Sequence, residues 1–262
     1  MKRTIIFTVF RIIEKLRVGE KAYLLKIQAS QVKRSKPGQF VIVQRDELSE
    51  RIPLSILESH EYGFSCLLKV VGRSTMELLE EGEELLYIAG PLGVPFPVGR
   101  YGRVLFYSHD WGIAPILNVA RALKIEGNFL KLVHTSEELY LMDQVERVFH
   151  LWDVSSDPLP EECDLVVSAG SNHLSEKLTQ LYPNKPILSM VNVHMLDAVG
   201  LCLVCRVRVD GEYRLACSEG PWFEAHKVDW RDLISRENIY KEQERQATEE
   251  YLKLLKRREL KG

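Results

Sequence analysis

The segment Asp197-Ala-Val-Gly-Leu-Cys202-Leu-Val-Cys205, completed downstream by Cys217, decides how the rest of this 262-residue chain is interpreted. Its spacing, D-x4-C-x2-C-x11-C, matches the C-x4-C-x2-C…C pattern of a plant-type two-iron two-sulfur (2Fe-2S) cluster, with Asp in the first position. Gly200 lies inside the loop, where backbone amides must approach the cluster closely. We therefore predict that four residues are cluster ligands: Asp197, Cys202, Cys205 and Cys217.

A β-hairpin is predicted to bring the last ligand back to the loop. Asp210-Gly211 stands between two alternating segments, Arg206-Val-Arg-Val and Glu212-Tyr-Arg-Leu. Asp-Gly between alternating segments is a strong short-range hairpin signal. Such a turn would return Cys217 to the Cys202/Cys205 pair.

The spacing alone leaves two alternatives open. Asp and Cys are both ordinary zinc ligands, so the same four side chains could hold zinc. The thiols could also simply lie in a small core. The odd total of five cysteines, three of them close together, indicates a metal site and not a disulfide framework. Cys66 and Cys163 stand apart in or beside apolar segments, and we expect them to be buried and inert.

The composition excludes several classes of function. The chain is 45% hydrophobic with a net charge of −2, so it lacks the basic excess that nucleic-acid binding requires. The N-terminal apolar segment ends at Arg11 without a cleavage site, and no segment is long enough to span a membrane. We expect a cytoplasmic protein with neither nucleic acid nor membrane as partner. The length allows two domains and a small additional module.

Residues 1–98 are predicted to form an antiparallel β-barrel, because short alternating segments follow one another with turn signals between them. Pro53 predicts that its strand is an edge strand or bulged. The predicted strands are Thr4–Ile13, Ala22–Ala29, Gln39–Gln44, Ile52–Glu58, Phe64–Val71 and Glu84–Ala89.

Residues 99–191 are predicted to form an α/β domain, because short apolar strands alternate with helical segments. A parallel sheet with a nucleotide-sized crevice at its carboxyl edge follows from this alternation. The predicted strands are Val104–Tyr107, Phe129–His134, Leu151–Val154, Asp164–Ala169 and Pro186–Val191, and the helices span 112–126, Glu137–Phe149 and Leu174–Leu181.

Two further segments complete the chain. Residues 192–228 form the predicted cluster module, and residues 229–262 form a charged helical tail. An apolar stripe runs along one face of this tail at Tyr240, Ala247, Tyr251 and Leu254/Leu255. The stripe could pack on the body of the protein or dock a partner subunit.

Three short motifs occur in order within the barrel segment: Arg51-Ile-Pro-Leu-Ser55, Gly72-Arg-Ser-Thr75 and Gly90-Pro-Leu-Gly93. Together with the barrel, the α/β domain and the cluster loop, they resemble the ferredoxin–NADP reductase superfamily. In that superfamily the first motif is a flavin signature, the second a phosphate turn, and the third closes the barrel near the flavin. A guanidinium fork suits a pyrophosphate, and glycine allows close backbone approach. The resemblance implies bound FAD and the following contacts: Arg51, Pro53, Leu54, Ser55, Gly72, Ser74, Thr75, Gly90 and Leu92.

The cluster segment narrows the resemblance. Cys217-Ser-Glu-Gly-Pro-Trp-Phe223 is similar to the closing sequence of the cluster modules in dihydroorotate dehydrogenase electron-transfer subunits. Asp197 in the first ligand position resembles the small FAD subunits of NADH-dependent ferredoxin:NADP oxidoreductases, also called sulfide dehydrogenase beta subunits. The resemblance implies an oxidoreductase electron-transfer subunit. Its partner would be a larger, glutamate-synthase-like flavin and iron-sulfur subunit.

The nicotinamide-binding turn departs from the superfamily pattern. Where that pattern is G-G-G-x-G-x-A-P, this chain has Ser108-His-Asp-Trp-Gly-Ile-Ala-Pro115. Gly112, Ala114 and Pro115 are retained and are predicted as cofactor-binding residues, whereas Asp110 adds negative charge and Trp111 adds bulk. NAD(P) could bind through the altered turn, or electrons could reach the FAD from a partner subunit.

The altered turn also supports a different class of function. The chain could be a structural or regulatory subunit on a reductase scaffold, with zinc at the cysteines and no nicotinamide binding. No acid–base catalytic residue is expected in either case, because the cofactors supply the redox chemistry. The histidines are therefore interpreted as loop or core residues: His109, His134, His173 and His194.

Overall fold

The N-terminal part of the computed structural model contains two antiparallel sheets. The structure describes residues 10–80, 82–237 and 239–259. Sheet order is β5-β6-β2-β1-β7 in one sheet and β4-β3-β8 in the other. The elements are β1 (Phe10–Arg17), β2 (Ala22–Gln28), β3 (Phe40–Gln44), β4 (Ile52–Ser55), β5 (Glu58–His60), β6 (Gly63–Lys69), α1 (Arg73–Glu80), β7 (Glu84–Leu85) and β8 (Tyr87–Leu92).

The two sheets enclose a shared apolar core, because inward-facing residues of their strands pack together. Leu25 and Phe64 from one sheet and Val41 and Val43 from the other are all fully buried. The predicted antiparallel β structure of the N-terminal part is thus present. In the described residues its strands form these two sheets and not one continuous barrel. Pro53 lies on β4, at the edge of its sheet, as predicted.

Several predicted boundaries in this part were wrong. The single strands predicted over Ile52–Glu58 and Glu84–Ala89 are each two strands, and the first strand continues to Arg17 instead of ending at Ile13. Residues 4–9 of the predicted Thr4–Ile13 strand lie outside the described residues. Helix α1 was not predicted. It begins after Gly72 because the Thr75 hydroxyl oxygen accepts hydrogen bonds from the Val71 and Gly72 amides at 3.0 and 3.1 Å.

The next part is the predicted parallel sheet flanked by helices. Strand order is β11-β10-β9-β12-β13-β16, and every pair is parallel except β13 with β16. Its elements are β9 (Arg103–Ser108), α2 (Ile113–Ile125), β10 (Phe129–His134), α3 (Met142–Val148), β11 (Leu151–Val154), β12 (Leu165–Ala169), α4 (Asn172–Leu181) and β13 (Ile187–Met190).

Two helices of this part differ from prediction. Helix α3 begins at Met142 and not at Glu137, because Leu141 takes a left-handed backbone conformation with φ of 60° and residues 135–141 form a loop. Helix α4 begins at Asn172, where the Ser171 hydroxyl accepts a hydrogen bond from the Leu174 amide.

The C-terminal part contains the predicted hairpin, a sheet-extending strand and two helices. Asp210 and Gly211 have φ of 53° and 84°, as a two-residue hairpin turn requires. The predicted tail is two helices and not one. The elements are β14 (Arg206–Val209), β15 (Glu212–Leu215), β16 (Trp222–Glu224), α5 (Trp230–Arg236) and α6 (Lys241–Glu259).

Helix α6 packs on the N-terminal part of the same chain. Tyr251 is only 5% exposed, and the Arg73 guanidinium of α1 lies 5.8 Å from its ring centre. Tyr240 and Leu254 of the predicted stripe are instead about half exposed. None of the described helices is long and apolar enough to cross a membrane.

Trp222 joins the three parts of the molecule. It lies on β16, which extends the parallel sheet. Its indole N–H donates to the Gly38 carbonyl oxygen of the N-terminal part at 2.9 Å, and its ring meets Phe96 edge-on at 5.1 Å. The cluster module is therefore held against both other parts.

Candidate cofactor sites

The loop that begins at Asp197 presents several backbone amides inward. The Asp197 carboxylate accepts hydrogen bonds from the amides of Leu201 at 2.8 Å, Cys202 at 2.6 Å and Val199 at 3.2 Å. The backbone turns in this way because Ala198, Gly200 and Leu203 have positive φ values of 57°, 83° and 56°. Successive inward amides form an anion-binding concavity.

Backbone hydrogen bonds in the loop favour the ionised form of Asp197. Burial acts to raise the pKa of the Asp197 carboxyl, but hydrogen bonds from the amides of Cys202, Val199 and Leu201 outweigh it, so that pKa is lowered. The Gly200 amide hydrogen-bonds to the Cys217 sulfur and acts to lower the pKa of that thiol, although burial and the Cys205 thiol outweigh this contact. This donor set fits an anionic iron-sulfur cluster, whose ligands and sulfides need such amides.

The hairpin returns Cys217 to Cys205, as predicted. Both thiols are buried and they hydrogen-bond to one another, whereas Cys202 is exposed at the loop surface. Burial first and the Cys205 thiol second raise the pKa of Cys217 to about 12. The Asp197 side chain lies on the same loop and is turned toward its amides. Among the described residues no three His, Cys, Asp or Glu side chains converge on one point suited to a single metal ion.

The other two cysteines lie in the core. Cys66 is completely buried and Cys163 is 2% exposed. Burial raises the pKa of Cys66 to about 12 and also raises the pKa of Cys163. The prediction that both are buried is confirmed.

Arg51, at the start of β4, is exposed and carries its charge among neutral groups. Its guanidinium lies 5.1 Å from the ring centre of Tyr87 on β8. It donates to the Gln44 side-chain oxygen at 3.3 Å and to the Leu196 carbonyl oxygen at 3.4 Å. No carboxylate of the described residues forms an ion pair with it, so the guanidinium fits the predicted role of holding a pyrophosphate.

The remaining residues of the first motif face different surroundings. Ser55 points toward the parallel sheet, since its hydroxyl lies 4.0 Å from the Met190 sulfur at the end of β13. Pro53 is exposed, whereas Leu54 is 6% exposed and belongs to the core between the two sheets. Leu54 can therefore contribute to a flavin site through its backbone only.

Gly90 and Leu92 lie on β8, next to β3. A side chain at Gly90 would come within 2.7 Å of Val41, and its φ of 152° favours glycine. Leu92 packs in the core that also contains Cys205 and Cys217. The third motif thus lies between the N-terminal sheets and the cluster module.

The second motif forms the first turn of α1. Ser74 donates to the Glu50 carboxylate at 3.2 Å, and Thr75 donates to the Gly72 carbonyl at 2.7 Å. Thr248 of α6 lies close above Gly72, 3.6 Å from where a side chain would begin. Glu50 and Thr248 were not predicted, since nothing in the local sequence connects them to this turn.

The two predicted cofactor regions are neighbours. Arg51 of the flavin motif touches the carbonyl of Leu196, which directly precedes Asp197 of the cluster loop. The two residues are 145 positions apart in the chain. This contact brings the two sets of predicted residues to one surface of the molecule.

The residues predicted to bind a cofactor at the altered turn, Gly112, Ala114 and Pro115, are packed against their own domain. Ala114 is 2% exposed, and Pro115 is also buried in the apolar core beneath α2. A side chain at Gly112 would lie 2.2 Å from the Ala169 carbonyl oxygen, so this glycine packs against β12. The retained residues of the turn therefore serve helix packing in this structure.

The histidines occupy core, loop and helix positions. His134 is fully buried between the Ser108 hydroxyl at 2.7 Å and the Ser136 hydroxyl at 2.6 Å, and burial lowers its pKa. His109 bonds to the Thr135 hydroxyl at 3.0 Å, and His194 meets Tyr240 edge-on. His173 was predicted in a loop or core but lies exposed in the first turn of α4.

Comparison with known proteins identifies the cluster module. The family described as the iron-sulfur cluster binding domain of dihydroorotate dehydrogenase B matches residues 192–229. The four predicted ligands all lie within this range.

Relatives match most of the chain. The dihydroorotate dehydrogenase B (NAD(+)) electron transfer subunit homolog of Thermotoga maritima is 32% identical over 92% of this chain and 95% of its own length. The corresponding electron transfer subunit of Clostridium acetobutylicum is 30% identical over 83% of this chain and 95% of its own length.

Solved structures show the same fold. A chain of the NADH-dependent reduced ferredoxin-NADP oxidoreductase, described in a study of flavin-based electron bifurcation, superposes with a TM-score of 0.85 at 31% identity, over 94% of this chain and 99% of its own. Phthalate dioxygenase reductase superposes with a TM-score of 0.56 at 14% identity, over 78% and 86%.

The fold and the cluster module define a ferredoxin reductase-like electron-transfer protein of the oxidoreductases. The chain belongs to the family of dihydroorotate dehydrogenase B electron transfer subunits and their homologues. Subunits of this family carry FAD and a 2Fe-2S cluster and work with a catalytic subunit in a heteromeric complex. The cofactors and function predicted from the sequence are confirmed, and the zinc-site alternative was wrong.

Proposed function

We propose that this subunit passes electrons between an FAD held by the N-terminal sheets and a 2Fe-2S cluster held by the Asp197–Cys217 module. When bound, FAD supplies two-electron and one-electron chemistry, and the cluster supplies one-electron transfer. The observation that carries the proposal is the 3.4 Å contact between Arg51 and the Leu196 carbonyl, because it brings the two cofactor-binding segments side by side.

The flavin-binding residues are proposed from the three motifs. Arg51 would hold the diphosphate, and Ser55, which faces the parallel sheet, would donate to the flavin ring edge. Gly72, Ser74 and Thr75 would approach the phosphates at the start of α1. Pro53, Leu54, Gly90 and Leu92 would line the ring through backbone and apolar contacts.

The cluster ligands are proposed to be Asp197, Cys202, Cys205 and Cys217. The module amides that now bond to Asp197 and Cys217 are the donors that would stabilise the negative charge of the bound cluster. Exposed apolar side chains surround this loop, with Leu196 54%, Val199 58% and Leu201 82% exposed. We propose that this apolar rim is where the partner subunit receives or delivers electrons.

The domain organisation follows from these sites. We propose an FAD-binding domain at residues 1–98, a nucleotide-binding-like domain at 99–191, a cluster module at 192–228 and a helical tail at 229–262. We also propose that the partner is a larger glutamate-synthase-like flavin and iron-sulfur subunit, and that the complex acts in the cytoplasm.

The experiment that tests the cluster assignment is substitution of its exposed thiol. Cys202→Ser is expected to reduce iron and acid-labile sulfide content and to change the low-temperature EPR spectrum of the reduced protein. Cys66→Ala, in the separate core between the two N-terminal sheets, is the matched control and should leave both unchanged. An iron-loaded Cys202→Ser protein with an unaltered spectrum would contradict the assignment.

A further inference from the structure

We propose that Asp110 is an internal anion that takes the place of a dinucleotide phosphate, and that it excludes NAD(P)H from the nucleotide-binding-like domain. Asp110 is then a specificity-determining residue, and the subunit exchanges electrons through its partner and not directly with a nicotinamide. The inference does not depend on which residues hold the flavin or the cluster.

The position of Asp110 in the sheet is the first argument. The chain runs from β9 to β10 and β11 on one side and then crosses to β12 and β13 on the other. The direction in which successive strands are added to the sheet therefore reverses between β9 and β12. In open parallel sheets a dinucleotide binds at such a reversal, beside the carboxyl ends of the strands. Asp110 lies two residues beyond the end of β9, at this point.

The segments that follow β9 and β12 touch each other through their backbones at this point. The His109 amide donates to the Ala169 carbonyl at 3.0 Å. A side chain at Gly170 would lie 1.9 Å from the His109 carbonyl oxygen. A side chain at Gly112 would likewise lie 2.2 Å from the Ala169 carbonyl oxygen, so the start of α2 packs directly against the end of β12.

The Asp110 carboxylate already engages the donors that an incoming phosphate would use. Lys69, at the end of β6, forms an ion pair with one oxygen. The Tyr140 hydroxyl donates to the other oxygen at 3.1 Å, and the Asp110 amide donates to the Ser136 hydroxyl at 2.9 Å. A lysine ammonium and a tyrosine hydroxyl that converge on one anion are typical of a phosphate site, and here the anion belongs to the protein.

The backbone at Asp110 suits glycine as well as aspartate. Its φ is 50°, a left-handed conformation that glycine adopts freely and that Asp adopts more readily than most other residues. Asp110 therefore places a carboxylate where glycine would also fit the turn. Its contacts with Lys69 and Tyr140 also join the N-terminal sheets to the parallel sheet.

The test is calorimetric titration of the full-length protein with ADP-ribose, the phosphate-containing part shared by NADH and NADPH. The unmodified protein is expected to bind with a Kd weaker than about 1 mM. Asp110→Gly suits the backbone and releases Lys69 and Tyr140, so it should bind at least about tenfold more tightly. Adding Lys69→Met to Asp110→Gly should reverse this gain.

Two variants serve as control and as alternative. Asp157→Asn is the control, because Asp157 also pairs with a lysine of the same domain, Lys177, at 2.5 Å but does not belong to this turn. It should leave ADP-ribose binding unchanged. If Asp110→Gly does not fold, Asp110→Asn removes the charge alone and should still tighten binding. Micromolar binding by the unmodified protein, or folded Asp110 variants no tighter than it, would overturn the proposal. Because ADP-ribose binding requires neither cofactor, these results are independent of the cluster test.

Discussion

At the scale of the residue, Arg51 connects the two proposed cofactor sites. It stacks on Tyr87, and within the described part of the chain it donates to two neutral oxygens and to no carboxylate, so its positive charge is available to an anion. A planar guanidinium can donate to a diphosphate with two parallel hydrogen bonds, which a lysine ammonium cannot do. The same side chain reaches the cluster loop through Leu196.

Replacing Arg51 with lysine is expected to weaken FAD binding while keeping the charge. Hydrogen bonds to charged groups contribute about 1.5–3 kcal/mol, so affinity should fall roughly ten- to a hundredfold. The flavin content of the purified protein and the flavin fluorescence released on dilution measure this change. Arg11→Lys, on the exposed face of β1, is the matched control. Equal flavin retention in both variants would show that Arg51 does not hold the diphosphate.

Contiguous motif residues could be predicted from the sequence, whereas their distant partners could not. The spacing of Asp197, Cys202 and Cys205 is a local property of the chain, and Asp-Gly at 210–211 specified the hairpin. Lys69 meets Asp110 across 41 positions, and Leu196 meets Arg51 across 145. Such contacts depend on how separate sheets pack, which no local pattern encodes.

At the scale of the element, the strands of the parallel sheet were predicted more accurately than the helices near the sites. Two strands, Phe129–His134 and Leu151–Val154, begin and end as predicted. Helix α1 was missed because its first turn, which the Thr75 hydroxyl ties back to the Val71 and Gly72 amides, lies inside a segment interpreted only as a phosphate turn. Helix α3 was predicted five residues too early because its preceding loop contains helix-favouring glutamates, while Leu141 ends that loop with a positive φ.

The contact between the β9 and β12 loops can be tested with a pair of glycine substitutions. Gly170 and Gly127 both have positive φ, 112° and 77°, but only Gly170 has backbone atoms against it. Gly127→Ala should lower the free energy of unfolding by about 1–2 kcal/mol from backbone strain. Gly170→Ala should lower it by about 1–3 kcal/mol more, because the methyl group meets the His109 carbonyl. Urea unfolding measures both, and equal losses would show that the loops can move apart.

At the scale of the whole molecule, the three parts are fixed to one another by polar contacts as well as by apolar packing. Helix α2 is bonded to the N-terminal part, because the side chains of Asn118 and Arg121 both donate to the Leu57 carbonyl, at 3.2 and 2.8 Å. In addition, Trp222 donates to Gly38. The apolar rim of the cluster loop therefore sits on a fixed platform, which suits docking without rearrangement.

Placing a charge on that rim is expected to impair the complex and spare the cofactors. Leu201→Asp introduces a carboxylate at a side chain that is 82% exposed, so folding, flavin and iron content should be unchanged. Co-purification with the partner subunit and electron transfer to it should fall at least about tenfold, since a buried unpaired charge is costly. Leu159→Asp, 74% exposed on the nucleotide-binding-like domain, is the control. If both variants still bound the partner as the unmodified protein does, the docking surface would lie elsewhere.

The pairing of β16 with β13 has a consequence for how the chain is made. During synthesis Met190, the last residue of β13, leaves the ribosome 32 residues before Trp222. At about 5–20 residues per second, that edge strand stays uncovered for roughly 2 to 6 seconds, as does the Gly38 carbonyl that later receives the indole. An open edge strand is a template for pairing with another chain. Nascent chains that stall in this window should therefore be the species that chaperones hold. A gene fragment that ends before residue 222 should yield aggregated protein, even though the fragment encodes both larger domains in full.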